Sequence, residues 1–94
     1  MRISHEIDAS GTSFHGVTIT ATPNQIRAVM GESKWSCGKT NFNWVGLTED
    51  NQVFTVYDWK MGRVSKNQTV DFHIGGFSKD SEERAKKELL ALIK

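Results

Sequence analysis

One cysteine, one proline, and charges of both signs in almost equal number exclude several classes of protein at the outset. Cys37 alone cannot close an internal disulfide, and without a second Cys or a nearby His it makes neither a zinc site nor a redox pair. A reducing cytoplasm is the expected setting. His5, His15 and His73 have no metal-ligand spacing and Cys37 does not complete one, so no metal and no other cofactor is expected. Twelve Lys and Arg stand against eleven Asp and Glu; this lacks the basic footprint of a non-specific duplex binder and disfavours duplex nucleic acid as a partner. No segment approaches the roughly 18 apolar residues that span a bilayer. The opening MRISHEIDASG has no apolar run of signal-peptide length, so a soluble protein without membrane contact is expected.

The 94 residues suit one domain, 1–94, with a single core of two packed layers and no second domain or deep two-lobed cleft. Residues 1–13 are polar and read as either a short edge strand or a loose tail. GVTITA, Gly16 to Ala21, alternates β-branched Val17 and Ile19 with Thr18 and Thr20 and predicts a strand. Thr22 as N-cap and Pro23 at the first helical position start a helix of about two turns, with Ile26, Val29 and Met30 on one side and Gly31 at its end. The aperiodic segment from Gly31 to Asn41 is a loop. Phe42 to Thr48 and Val53 to Trp59 form a hairpin through a polar connection, and Met61 to Gln68 leads to a third strand, Thr69 to Ile74, stopped by Gly75 and Gly76.

The last element is a helix capped by Asp80 or Ser81, with Glu82 and Glu83 at the positive end of its dipole and Ala85, Leu89, Leu92 and Ile93 as its apolar stripe. The charged run Lys79 to Glu88 is its solvated face and approach. Phe54, Val56, Val70, Phe72 and Ile74 offer that stripe a surface. The predicted fold is α+β: an antiparallel three- to four-stranded sheet with a short helix in the N-terminal half and a C-terminal helix packed on one face.

Strand alternation then places Thr55, Tyr57 and Trp59, with Asp71 and His73, on the face turned away from the helices. Trp44 stays open, because Phe42 and Trp44 compete with Val45 and Leu47 for the core. Trp and Tyr commonly fill the edges of small cores with their polar tips in water. As a group, however, Trp44, Tyr57 and Trp59 offer stacking planes, while Lys39, Thr40, Lys60, Arg63 and His73 offer polar or cationic groups for a phosphate or a base.

Other constellations carry less. Gly38-Lys39-Thr40 matches the end of a Walker loop, but Ser33 stands where that pattern requires its first glycine, which rejects a Walker ATPase. Gly75-Gly76 could admit an anion to backbone amides, though such a pair more often marks a turn of positive φ. Asp58 and His73 could form half of a triad, but the sequence places no nucleophile, and Asp58 fits a turn or a neighbouring cation better. Catalysis is thus not indicated, and the enzyme question leans to no.

At these residues the chain resembles a group of small bacteriophage-encoded proteins in which a GKT-type loop leads to a Trp-containing strand, an FTVYDWK-like strand, a WHIGG-like strand and a terminal helix. The corresponding stretches are Gly38 to Thr40, Trp44, Phe54 to Lys60 and Phe72 to Gly76, spread over about the last two-thirds of the chain. Phe72 stands where the pattern has Trp and so lacks its N–H donor. The resemblance implies a phage protein acting in the host cytoplasm by occupying a target. Its leading form is an anti-defence protein that sequesters a nucleotide-type signal, a cyclic nucleotide or an ADP-ribose derivative, without catalysis, in a pocket often shared by identical subunits of a homo-oligomer. The alternatives are an inhibitor that binds a host protein through exposed aromatics, and single-stranded nucleic-acid binding on an aromatic sheet face.

Overall fold

The computed structural model describes residues 11–33, 41–59 and 64–93, together with the backbone of 2–3. Most of the loop expected between Gly31 and Asn41, part of the connection from Met61 to Gln68, and residues 4–10 lie outside the described residues. The elements are β1 (Arg2–Ile3), β2 (Ser13–Ala21), α1 (Pro23–Met30), β3 (Asn43–Leu47), β4 (Val53–Tyr57), β5 (Val70–Gly76) and α2 (Lys79–Leu92). Four substantial strands and the short β1 make one antiparallel sheet in the order β1-β3-β4-β5-β2. Both helices pack on one face of it. The α+β expectation therefore holds, with β3-β4-β5 as the meander and β2 closing the far side of β5.

Local chemistry explains most boundaries. Val17, Ile19 and Ala21 of β2 point into the core at every second position. Thr22 then starts α1 with a reciprocal cap: its hydroxyl accepts the Gln25 N–H at 3.1 Å, and the Gln25 side chain accepts the Thr22 N–H at 2.8 Å. Pro23 occupies the first turn, where its missing N–H costs nothing, and Gly31 ends the helix at φ 78°. Between β3 and β4 the chain reverses through Asn51 at φ 64°, with Thr48 donating to the Gln52 carbonyl at 2.9 Å.

Trp44 pairs with Val56 and shares its face, so the indole enters the core at 1% exposure and donates its N–H to the Gly31 carbonyl at 2.8 Å. Val45 and Leu47 point to the opposite face and are buried as well. The competition left open by the sequence therefore has no loser, because β3 is covered on both sides.

Besides shifts of a few residues at strand ends, such as β2 beginning at Ser13 and β4 ending at Tyr57, three features differ from the sequence reading. Ser78, not Asp80 or Ser81, caps α2; its hydroxyl accepts the Ser81 N–H at 3.2 Å while Ser81 Oγ accepts the Ser78 N–H. Gly75 and Gly76 do not stop β5 and neither has positive φ; they are its last two residues. They are needed for close approach: a Cβ on Gly75 would lie 2.6 Å from Thr55 Oγ1, and one on Gly76 would lie 2.9 Å from Ser81 Oγ and 3.0 Å from Glu82 Cγ. Finally, the buried stripe of α2 runs through Glu82, Ala85 and Leu89 to Ile93, whereas Leu92 is 50% exposed. Spacings of three, four and four residues keep that set on one line, and Leu92 falls outside it. Glu82 is thus no solvated first-turn charge but a buried carboxylate that binds His15.

Candidate functional site

The sheet face turned away from the helices carries a row of aromatic rings. Tyr57 on β4 and His73 on β5 are register partners, and their rings meet edge to face at 5.5 Å. Phe14 of β2 stacks on the other side of His73, with centroids 4.0 Å apart and planes 12° from parallel. Trp59, two residues past Tyr57, meets its ring edge to face at 6.2 Å. The row therefore runs Phe14, His73, Tyr57, Trp59. Its two ends are the most open, with Phe14 41% and Trp59 39% exposed, while Tyr57 and His73 are half-buried. Offset and edge-to-face contacts of this kind suit aromatic quadrupoles and hold each ring in a defined plane.

Two backbone features set the row. Phe14 pairs with Gly75 and Thr18 with His73, so β2 carries extra residues between them, with Gly16 at φ 95°. This bulge turns Phe14 onto His73 and frees the following residues to face α2. Gly75 has no side chain between Thr55 and Tyr57, which leaves the floor beneath the rings clear.

Electrostatics make these rings neutral partners. Burial lowers the His73 pKa from its ordinary value, so the imidazole is uncharged at neutral pH with one donor and one acceptor nitrogen. Burial, with a smaller contribution from the Glu82 charge, raises that of Tyr57. Its hydroxyl therefore remains a donor throughout the physiological range.

Beside the row, Asp58 is completely buried. One carboxylate oxygen accepts the backbone N–H groups of Asn41 and Phe42, each at 2.8 Å, and the other accepts the Asn41 side-chain amide at 2.7 Å. Asp58 thus joins two segments distant in sequence, where the sequence suggested a local turn or a neighbouring cation, and its carboxylate is bound by Asn41 and Phe42. The entry to β3 is tied to the exit from β4.

Of the residues singled out in the sequence, Tyr57, Trp59 and His73 come together. Trp44 does not join them; it lies in the core on the helix side. Lys39, Thr40, Lys60 and Arg63 lie outside the described residues. Phe14 was missed, because residues up to 13 are polar and the period-two signal begins only after Gly16. Neither a protein-family model, nor a curated protein, nor a solved structure matches this chain.

The arrangement can stack planar groups and exchange hydrogen bonds with them, and among the described residues no group of three His, Cys, Asp or Glu side chains is placed to hold a metal ion. Among those residues no helix is long and apolar enough to cross a membrane.

Proposed function

We propose that this protein binds a nucleotide-type small molecule on the row Phe14, His73, Tyr57 and Trp59 and retains it unchanged. The observation that supports this most directly is that row itself: fixed rings with open ends, interleaved with the neutral hydrogen-bonding groups of His73 and Tyr57. Flat apolar planes with a few polar groups are what a purine or pyrimidine needs for recognition. Phosphates need cations and hydrogen-bond donors, and the sequence supplies the cations Lys60 and Arg63 just beyond Trp59, and Lys39, with the hydroxyl of Thr40, just before Asn41. Asp58 ties Asn41 to the exit of β4, so both cation-bearing segments leave from one junction beside the rings.

Taken with the resemblance to small phage proteins, the role we propose is anti-defence: sequestration of a cyclic nucleotide or ADP-ribose derivative in the host cytoplasm, with a homo-oligomer closing the pocket. The test is native mass spectrometry of the protein with a pooled panel of cyclic di- and trinucleotides, ADP-ribose derivatives and ordinary nucleotides. A stoichiometric adduct of unaltered ligand mass, lost in Trp59→Ala and in Lys60→Ala, is expected. A folded protein that takes up no panel member would overturn the reading.

The rival is inhibition of a host protein through aromatic anchors, favoured by the exposure of Phe14, Trp59 and Phe77. Lys60→Ala distinguishes the two, since it removes a phosphate contact but only trims the rim of a protein interface. Single-stranded nucleic acid would be revealed by steep salt dependence of binding.

A further inference from the structure

On the helix side of β2, opposite the ring row, three side chains stand in the order nucleophile, base and acid. Glu82 is fully buried, and one of its carboxylate oxygens accepts the His15 backbone N–H at 3.2 Å while the other binds His15 Nδ1. The remaining ring nitrogen, Nε2, lies 3.5 Å from Ser13 Oγ. A buried carboxylate on Nδ1 holds the tautomer in which Nδ1 carries the proton and Nε2 presents its lone pair toward the hydroxyl. A hydroxyl, an imidazole and a carboxylate in this order are the groups that nucleophilic catalysis by serine uses, with the hydroxyl here at the outer limit of hydrogen-bond distance.

Several features converge on this chain. The bulge with Gly16 at φ 95° turns His15 toward α2. Gly76, the register partner of Ser13, lacks the Cβ that would lie 2.9 Å from Ser81 Oγ and crowd Glu82 Cγ at 3.0 Å, and so leaves room for the first turn of α2 to approach the strand. Glu82 occupies a place in the buried stripe of α2 where an apolar residue would pack at no desolvation cost, and an ionised group there needs a specific partner. Ser13 itself is exposed, and Phe77, 55% exposed, follows its register partner directly. Phe77 thus brings an apolar ring against Gly11, two residues before Ser13, and in the first turn of α2 the Lys79 and Asp80 amides precede those of Ser81 and Glu82, which Ser78 accepts.

We propose that Ser13, His15 and Glu82 form a hydrolytic site for small esters with an apolar acyl group, separate from the ring row. Ser13 Oγ attacks the ester carbonyl carbon as His15 Nε2 takes its proton. The C–O bond to the alcohol then breaks and the alcohol leaves with that proton. Water attacks the acyl-Ser13 carbonyl, giving a proton to Nε2; the acid is released and Ser13 recovers its hydrogen. Ser13 and His15 are the catalytic residues, and Glu82 is a positioning residue.

The experiment treats the full chain with a fluorophosphonate, locates the adduct by peptide mass spectrometry, and follows hydrolysis of p-nitrophenyl butyrate. Labelling at Ser13 is expected, with a fall of about 100-fold or more in kcat/KM for Ser13→Ala and for His15→Ala. Glu82→Gln should lower kcat with KM little changed. Ser13 is exposed, so Ser13→Ala retains the wild-type circular dichroism. Absence of the Ser13 adduct on folded wild-type protein, or equal hydrolysis by Ser13→Ala, would overturn the proposal. Nucleotide uptake by Ser13→Ala is unaffected in either case, which keeps this test independent of the ring row.

Discussion

The Phe14 ring lies flat on the His73 imidazole, 4.0 Å away and 12° from parallel, and so joins β2 to β5 across the bulge that separates their pairing. The stack does two things at once. It extends the exposed aromatic surface by one ring, and it shields an imidazole whose pKa is lowered by burial.

Removing that shield should move the titration. In Phe14→Ala the His73 pKa rises back toward its ordinary value, read from its imidazole C–H shifts by NMR across about pH 4.5 to about pH 8.5, a window of about two units either side of about 6.5. Stability should fall only modestly, by about 0.5–1.5 kcal/mol for a stacked pair at an exposed position. An unchanged His73 titration would mean that the strand pairing buries the imidazole without help from Phe14.

The same shift fixes the sign of a pH effect on stability. With the folded pKa of His73 below that of the unfolded chain, the unfolded state takes up a proton first as pH falls. The stability gained from burying neutral His73 is therefore present above about 6.5 and declines as pH drops through that unfolded value toward the folded one. Urea denaturation of wild type and His73→Phe at about pH 7.5 and about pH 5.5 isolates this contribution. The wild type should lose more than the variant on acidification; equal losses would assign the acid sensitivity to other groups.

Asp58 should be far more sensitive to truncation than to isosteric change. Asp58→Ala strands two backbone N–H groups and the Asn41 amide, at a cost of about 3 kcal/mol or more. Asp58→Asn keeps an oxygen for the backbone donors, and Asn41 can turn its own amide to present oxygen to the new NH₂. A loss at least about 1.5 kcal/mol smaller than that of the alanine variant is expected by chemical denaturation: the three bonds lose their charged acceptor, but no donor is left unpaired. Equal losses in the two variants would show that the negative charge, not the hydrogen-bond geometry, holds the crossing.

Much of the architecture was legible because its signals are local. The alternation of Val17, Ile19 and Ala21, the Thr22-Pro23 start of α1 and the polar turn before Val53 each specify backbone by short-range chemistry. The face shared by Tyr57 and His73 followed from period two alone, once Phe54 and Ile74 were taken as core. What escaped depended on contacts distant in sequence. Glu82 looked like a solvated first-turn acid because nothing near it indicated that His15, 67 positions away, would meet it. Gly75 read as part of a stop signal, since its real constraint lies in Thr55, on the neighbouring strand. Phe14 was hidden by the bulge, which breaks alternation at the place where the strand adds its ring to the row.

Gly75 provides the sharpest packing test, because the colliding atom is a single oxygen. A methyl at Gly75 would lie 2.6 Å from Thr55 Oγ1, whereas its next contacts, at 3.5 Å and 3.6 Å, are ordinary. Thr55 is itself buried on that face and cannot swing its side chain into solvent without cost. Gly75→Ala should therefore destabilise the protein by about 1–3 kcal/mol through overpacking, and because Tyr57 borders the same space the strain should also disturb the ring row. Adding Thr55→Ala removes the opposing oxygen. The double variant should be less destabilised than the sum of the two single variants by at least about 0.5 kcal/mol, the coupling expected of residues in direct contact. Thermal denaturation of the four proteins in the cycle measures this, and strict additivity would show that the glycine is required by the β5 backbone and not by its neighbour across the strand.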